Sequence, residues 1–414
     1  MLVSEYKLSF GILTCVIFIS ILAVNFLSGF ATIELHWKSG SLLSQNNSRN
    51  TLVQRMNSQK EPKVYRSNGN RHWCDKMYDN YTWFQTDHGR LLLNETIYYC
   101  GIPKCGSTFM GTFLHKLFSS KIGNNSSSFM LRIKKNVTIS NVYSFMFVRD
   151  PYSRLFSAYE NKLFNPNSFF SKLGTDIIKE VRQNASALSL QFGHDVTFTE
   201  LIQYIIKFYE QGRNLNPHIA AMHTICHPCR QKYNFIGKLE TMTTDLVQLV
   251  KEWNTRGIIS KKMNTTDVES DVKDGRIYGT IGHMFRFQHK AKNLISQYKL
   301  FHRTWASYQI RGIILKDYEM PFNESSARTA RFGTYTKAIQ TAVSVSKMHK
   351  SELKAQRKEA LYQAYRNVPV DLLEKLGQFL KTDCELFGYE NRPGWIFNQS
   401  EWKPLSGHNY FEWL

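Results

Sequence analysis

The chain has 414 residues, 42% of them hydrophobic and 14% aromatic, which excludes a wholly disordered polypeptide. Its 23 glycines and seven cysteines exclude collagen-like and small disulfide-scaffold classes. Against 33 Asp and Glu stand 53 Lys and Arg, a formal charge of +20, so the expected partner is anionic: nucleic acid, acidic lipid, acidic polysaccharide or a phosphorylated cofactor.

Residues 1–7 precede an uncharged run, LSFGILTCVIFISILAVNFLSGFATI, which fills residues 8–33. A bilayer-spanning helix needs ~20 apolar residues, whereas the core of a cleaved signal sequence is ~7–15. The run favours an uncleaved anchor. Flanking charge does not orient it, because Lys7 lies before it and Lys38 and Arg49 after it. Glycosylation acceptors do. Asn-x-Ser/Thr occurs at Asn46, Asn80, Asn94, Asn124, Asn125, Asn136, Asn184, Asn264, Asn323 and Asn398, all beyond the run. The expected organisation is a cytoplasmic tail (1–7), a transmembrane signal-anchor (8–33), a polar lumenal stem (34–72) and one folded lumenal domain (73–414).

A lumenal domain is oxidised, so Cys74, Cys100, Cys105, Cys226, Cys229 and Cys384 are free to pair, in 15 possible ways. Cys226-His-Pro-Cys229 is a CxxC. A zinc site would need a second such pair or paired histidines, and no clean second half is present. A structural disulfide is the better reading.

Within the folded part, two strand–turn–helix units stand out. Thr96–Gly101 is a short apolar strand, followed by Ile-Pro-Lys-Cys-Gly-Ser-Thr108 and a helix with Phe109, Phe113 and Leu117 on one face. Tyr143–Val148 is a second strand, followed by Arg149-Asp150-Pro151. A helix then carries Leu155, Tyr159 and Leu163, with Pro151 in its first turn. A third unit runs from Tyr233–Gly237 into a helix through Leu246, Leu249 and Val250. Further helices are expected near 198–210, 285–300 and 350–388. Strands alternating with helices predict an α/β fold, a P-loop-like parallel sheet flanked by helices.

A strand running into a Gly/Ser/Thr loop and then a helix makes an anion site, because helix-start N–H groups point outward. Pro103, Lys104, Cys105, Gly106, Ser107 and Thr108 form such a loop. Lys104 supplies positive charge, Ser107 and Thr108 supply hydroxyls, and Gly106 permits close backbone approach. The lysine precedes the glycine, so GxxxxGK[ST] is not met and a nucleotide triphosphatase is disfavoured. Taken alone, the loop is equally an ordinary strand-to-helix turn. Arg149 ends the second strand and Ser157 lies two turns into the next helix. Arginine grips phosphate as a fixed fork, so two such loops predict a ligand with anionic groups at two places. The competing reading is an Arg149–Asp150 ion pair and a packing serine.

Pro-Lys-Cys-Gly-Ser-Thr after a strand, followed by FVRDPYSRLFSAYENK, resembles the two cofactor motifs of Golgi carbohydrate sulfotransferases. The similarity is greatest to the branch of chondroitin, dermatan, GalNAc-4 and HNK-1 sulfotransferases. Cys226-His-Pro-Cys229 through Tyr233-Asn-Phe-Ile-Gly-Lys-Leu-Glu240 is similar to that branch, and so is Asp383-Cys-Glu-Leu-Phe-Gly-Tyr389. The motifs span about residues 95–390. The resemblance implies the sulfate donor 3′-phosphoadenosine 5′-phosphosulfate (PAPS) and no metal. It implies that Pro103 to Thr108 hold the 5′-phosphosulfate, and Arg149 and Ser157 the 3′-phosphate. The branch has Asn-Trp where this chain has Phe109-Met110. It also implies a Golgi location and an anionic or neutral glycan acceptor of glycosaminoglycan type, with GalNAc of chondroitin- or dermatan-type chains as the first choice. A nucleic-acid partner is disfavoured behind a membrane anchor and under glycans.

Sulfate transfer to a sugar hydroxyl needs a base for the proton and positive charge at the leaving oxygen. Lys104 is the candidate for the charge. His218 is the candidate base, at a position where the branch carries His-Trp and this chain has His218-Ile219; His223, His227 and Glu240 are rivals. Arg328, Arg331 and Lys337 are candidates for lining an acceptor groove. Two other classes share the anchor and the charge. A type II glycosyltransferase usually needs Asp-x-Asp, which is absent, although Asp-x-Glu occurs at Asp267, Asp317 and Asp383. A receptor for anionic polysaccharide would leave two phosphate loops unexplained.

Overall fold

The computed structural model describes Cys74 and residues 88–92, 96–118, 131–132, 142–231, 233–259, 265–291, 294–398, 400, 402 and 404–414. The tail, anchor and stem expected over residues 1–72 lie outside the described residues. Strands β1 (Gly89–Leu92), β2 (Ile97–Cys100), β3 (Leu131–Arg132), β4 (Tyr143–Val148) and β5 (Phe235–Lys238) form one sheet in the order β3-β1-β2-β4-β5. β2, β4 and β5 run parallel, with Ile97 opposite Tyr143 and Phe145 opposite Phe235. β1 is antiparallel to both β2 and β3. The expected parallel sheet is therefore the centre of a mixed one. Only residues 93–96 join β1 to β2, and a parallel crossover needs about a dozen residues, so this pair is necessarily antiparallel.

The helices are α1 (Ser107–Phe118), α2 (Pro151–Tyr159), α3 (Thr175–Val181), α4 (Ala187–Phe192), α5 (Phe198–Glu210), α6 (Met222–Cys226) and α7 (Met242–Thr255). They continue with α8 (Thr265–Lys290), α9 (Gln297–Ile310), α10 (Glu324–Thr329), α11 (Phe332–Ser346), α12 (Lys350–Arg366), α13 (Val370–Phe387) and α14 (Gly394–Phe397). Two expected helices are broken. The one near 285–300 divides between α8 and α9, where Ser296 caps α9 by accepting from Lys299 N. The one over 350–388 divides at Asn367–Pro369, because proline disfavours helix at the residue before it.

Every residue of β4 is buried, as a strand covered on both faces requires. Alternation sends Phe145 and Phe147 to one face, where they pack with Tyr99, α1 and Trp253 of α7. Met146 and Val148 meet Tyr98, Met222 and Ile225 on the other. A second core surrounds α2. Tyr152, Phe156 and Tyr159 pack edge-on against Phe198, Tyr365 and Phe411. α2 is thus fixed from behind, with only Ser153 and Ser157 of its nine residues less than fully buried.

Cys74 pairs with Cys229 and Cys100 with Cys226. The CxxC does not close on itself, and both its sulfurs are consumed, so the zinc alternative falls. Among the described residues no cluster of three His, Cys, Asp or Glu could hold a metal ion. Cys100 is the last residue of β2, so the Cys100–Cys226 bond ties the strand before the lysine loop to α6. It closes a sequence separation of 126 residues. Replacing both partners with serine is expected to cost about 2–5 kcal/mol in urea unfolding of the oxidised protein.

Candidate active site

β2 delivers the chain into residues 101–106, and α1 starts at Ser107. Two residues of this turn have positive φ: Lys104 at 71° and Gly106 at 80°. For lysine this is a strained conformation, shared by one other non-glycine among the described residues, His227. At Gly106 a Cβ would also lie 3.1 Å from Leu239 Cδ1. The turn is closed by Cys105 N donating to Ile102 O (3.2 Å), and α1 opens with Met110 N donating to Gly106 O (2.9 Å). The first amides of α1 therefore end the loop without intrahelical acceptors, which is a seat for an anion.

The side chains of the loop divide sharply. Cys105 turns inward, its Sγ 3.6 Å from Met222 Sδ, and burial pushes its thiol up to about 12. Only its backbone is available to a ligand. Pro103, Lys104 and Ser107 are half-buried and Thr108 is exposed. Lys104 Nζ donates to Asn161 Oδ1 at 2.5 Å. Burial, then the nearby charge of Lys162, hold the Lys104 ammonium well below the usual lysine range, against the opposing pull of Glu160. Arg149, at the end of β4, donates to Lys104 O at 3.4 Å, so the two predicted loops meet. Burial and the charge of Arg357 bring Arg149 down to about 10. Asp150 caps α2 by accepting from Ser153 N at 2.7 Å, which leaves Arg149 at the helix entrance. Ser153 and Ser157 lie one turn apart on the partly exposed side of α2.

Arg154 had no assigned role in the sequence reading, and it organises the site. It is 2% exposed, and its guanidinium donates to Pro103 O (3.0 Å), Pro217 O (2.9 Å) and Ala220 O (2.6 Å). One side chain thereby joins the lysine loop to the segment holding His218. Asn161 and Lys162 were also missed. They lie in a π-helical turn, Glu160–Phe164, that continues α2 and shifts its register. The available signal for Arg154 was a cation among the apolar positions of a helix.

His218 belongs to the same cluster. Phe169 bridges it to Lys162: the lysine Nζ sits 3.9 Å from the ring centroid and the imidazole meets the ring edge-on at 5.1 Å. His218 N and Nδ1 both approach Asn216 Oδ1, at 3.0 and 2.9 Å. The backbone N–H can only donate, so that atom is the amide oxygen and Nδ1 carries the ring proton. Nε2 then holds the lone pair. Burial, followed by the charges of Lys162, Lys104 and Arg154, lowers His218 to about 3.

The rival bases have other duties. Glu240 accepts from Asp150 N (2.9 Å) and from the Tyr389 hydroxyl (2.9 Å). His223 Nδ1 contacts Asp383 Oδ1 at 2.7 Å, while the buried Asp383 also accepts from the amides of Met222 and His223. His227 ends α6 in a left-handed conformation. Arg328, Arg331 and Lys337 are exposed on and beside α10 and α11. The charges that act on Lys104 are instead Lys162, Glu160, Arg311 and Arg149.

Residues 93–323 match the Sulfotransferase family. The chain is 34% identical over 140 residues to carbohydrate sulfotransferase 11 of Rattus norvegicus, covering 32% of this chain and 40% of the relative. It is 36% identical over 107 residues to carbohydrate sulfotransferase 14 of Danio rerio, 26% and 29% of the two chains. To carbohydrate sulfotransferase 9 of Homo sapiens it is 32% identical over 164 residues, 36% and 37%. The chain thus spans well under half the length of the curated relatives it matches. No solved structure matches. The lysine loop, Arg149 and α2 all fall inside the matched region, and the chain belongs to the sulfotransferase family.

The histidines set an acid limit on the fold. His218 is lowered to about 3, and His194 and His302 to about 4, each chiefly by burial. Folded, they stay neutral; unfolded, they take up protons below ~6.5. Their contribution is complete above ~6.5 and is lost as pH falls toward 4. Melting temperature is expected to drop over that window, and His302→Gln to flatten the drop, in calorimetric scans from pH 7 to 4.

Proposed function

We propose that this chain transfers sulfate from PAPS to a hydroxyl of a glycan, with GalNAc of chondroitin- or dermatan-type chains as the acceptor. The observation that carries the reading is a buried arginine that joins the Lys104 loop to the segment holding His218, with Arg149 bonded directly to Lys104 O, in a chain of the sulfotransferase family. Bound PAPS would supply an activated sulfuryl group and leave as adenosine 3′,5′-bisphosphate.

The residues fit such a donor. The left-handed turn at Lys104 and Gly106 and the start of α1 present amides to a 5′-phosphosulfate, with Ser107 and Thr108 beside them. Arg149, at the entrance of α2, and Ser157, two turns into it, would hold the 3′-phosphate. Lys104 Nζ, fixed by Asn161, would offset the charge that develops on the leaving oxygen. His218 Nε2 takes the proton of the acceptor hydroxyl. Burial lowers His218 most; an anionic donor would offset only the added effect of the Lys162 and Lys104 charges, strengthening the base by that part. The basic groups Lys162 and Arg311 around Lys104 suit an acidic acceptor.

The proposal includes a single-pass type II Golgi membrane protein, with tail 1–7, anchor 8–33, stem 34–72 and lumenal domain 73–414. Its support is the uncharged run and the sequons. The three sequon asparagines among the described residues, Asn184, Asn323 and Asn398, are all exposed. The two disulfides suit an oxidising lumen.

The test is transfer of radiolabelled sulfate from PAPS by the full-length protein to chondroitin, dermatan, heparan precursors and GalNAc-terminated glycans. Lys104→Ala is expected to lower kcat by ~10²–10³-fold. Arg149→Ala is expected to raise the KM for PAPS. Asn161→Ala, which frees the lysine, is expected to lower kcat ~10-fold, the size of one charge-assisted hydrogen bond. A folded protein that neither binds adenosine 3′,5′-bisphosphate nor transfers sulfate would refute the proposal. Nucleotide binding with transfer only outside the chondroitin and dermatan acceptors would refute the acceptor assignment.

A further inference from the structure

A cavity of about 620 Å³ opens beside the end of α12, α14 and the segment after it. None of the Lys104 site residues lines it. Its size falls in the ~300–1,000 Å³ range of small-molecule sites. Tyr362 and Trp395 stack in its wall with centroids 5.1 Å apart, and the Arg366 guanidinium lies 5.0 Å from the ring centroid of Trp402. All three rings are half-buried. The Trp402 indole N–H is buried with no hydrogen-bond partner among the described residues, which is costly. The formal charges of the lining, Arg366, Arg392 and Glu390, sum to zero once the Glu374 that grips Arg392 is counted. The Lys104 cleft, by contrast, is strongly basic. Aromatic faces and no net charge suit an uncharged sugar ring, whose C–H edges pack on rings.

The wall also contains an attachment point. Asn398 lines the cavity, is exposed, and heads the sequon Asn398-Gln399-Ser400. Ser400 Oγ donates to Asn398 Oδ1 at 2.7 Å. We infer that Asn398 carries an N-linked glycan whose first, uncharged N-acetylhexosamine units occupy this cavity. The inference rests on the lumenal placement proposed above. In the modification, Asn398 Nδ2 bonds to the anomeric carbon of a lipid-pyrophosphate-linked oligosaccharide. The carbon–oxygen bond to pyrophosphate breaks, Nδ2 loses one proton, and the lipid pyrophosphate leaves. A tethered sugar is present at high effective concentration, so weak ring contacts suffice to seat it.

The test uses the full-length protein made in a mammalian secretory pathway. Glycopeptide mass spectrometry is expected to find Asn398 occupied. Ser400→Ala should remove that glycan, lower the melting temperature by several degrees and raise hydroxyl-radical labelling of Trp395 and Trp402 severalfold. Ser400→Thr, which keeps the sequon, should match the wild type. Trp402→Phe should keep the glycan and lose part of the thermal gain. An unmodified Asn398 beside a modified Asn184 or Asn323 would overturn the inference. So would a glycan whose removal changes neither melting nor labelling. Protection of Trp402 in Ser400→Ala by added chondroitin oligosaccharide would reassign the cavity to the acceptor. A protein with every sequon bare would overturn this inference and the lumenal placement together, while nucleotide binding would still report on the transfer reaction separately.

Discussion

The site depends on a buried guanidinium. Burying a charge is expensive unless hydrogen bonds replace its water, and Arg154 meets that condition with three backbone carbonyls. Those carbonyls belong to Pro103, Pro217 and Ala220. Lys104 follows the first and His218 follows the second. The placement of the candidate transfer lysine relative to the candidate base is thus set by one side chain projecting from α2. The surroundings of α2 are correspondingly rigid: aromatic rings pack behind it, and Tyr365 reaches across to donate to Tyr152 O at 2.8 Å. Asp150 and Pro151 fix where the helix begins.

What this scaffold assembles is concentrated, partly desolvated positive charge. Burial depresses the Lys104 ammonium most, and the charges of Lys162, Arg311 and Arg149 add to the effect. Such a cluster is unfavourable by itself and is relieved by an anion. The left-handed turn at Lys104 adds strain of a kind that persists only where surrounding structure enforces it. Arg154 and Arg149 do so, each from a carbonyl of the turn. Net charge of the whole chain explains attraction of anions to the surface; this local arrangement explains why one place on it would bind them tightly.

The parts legible in the sequence were local. The Lys104 loop, Arg149 and the proline-started helix could be read because a short apolar strand, a turn and a helical repeat lie within a few residues of each other. Tyr143–Val148 and Phe198–Glu210 occur where periodicity put them. What failed to show were features set by distant segments. β1 is antiparallel because of the short link behind it, and its four residues carry little pattern of their own. The cysteine pairings span 155 and 126 residues, beyond the reach of any spacing rule. Asn161 reaches Lys104 from a π-helical turn, which breaks the 3.6-residue period that would have predicted its face. Arg154 shows in the sequence only as a cation among the apolar positions of a helix. Its acceptors lie 51 to 66 residues away, and only the folded chain reveals them.

The central claim is that Arg154 holds the two halves of the site together without touching the ligand. It is tested most directly by calorimetric titration of adenosine 3′,5′-bisphosphate into the wild type and into Arg154→Lys. Lysine keeps the charge but cannot span three carbonyls in a fixed fork. The account predicts a folded variant whose dissociation constant rises ~10-fold or more, the equivalent of ~1.4 kcal/mol. An unchanged dissociation constant in a folded Arg154→Lys protein would contradict it.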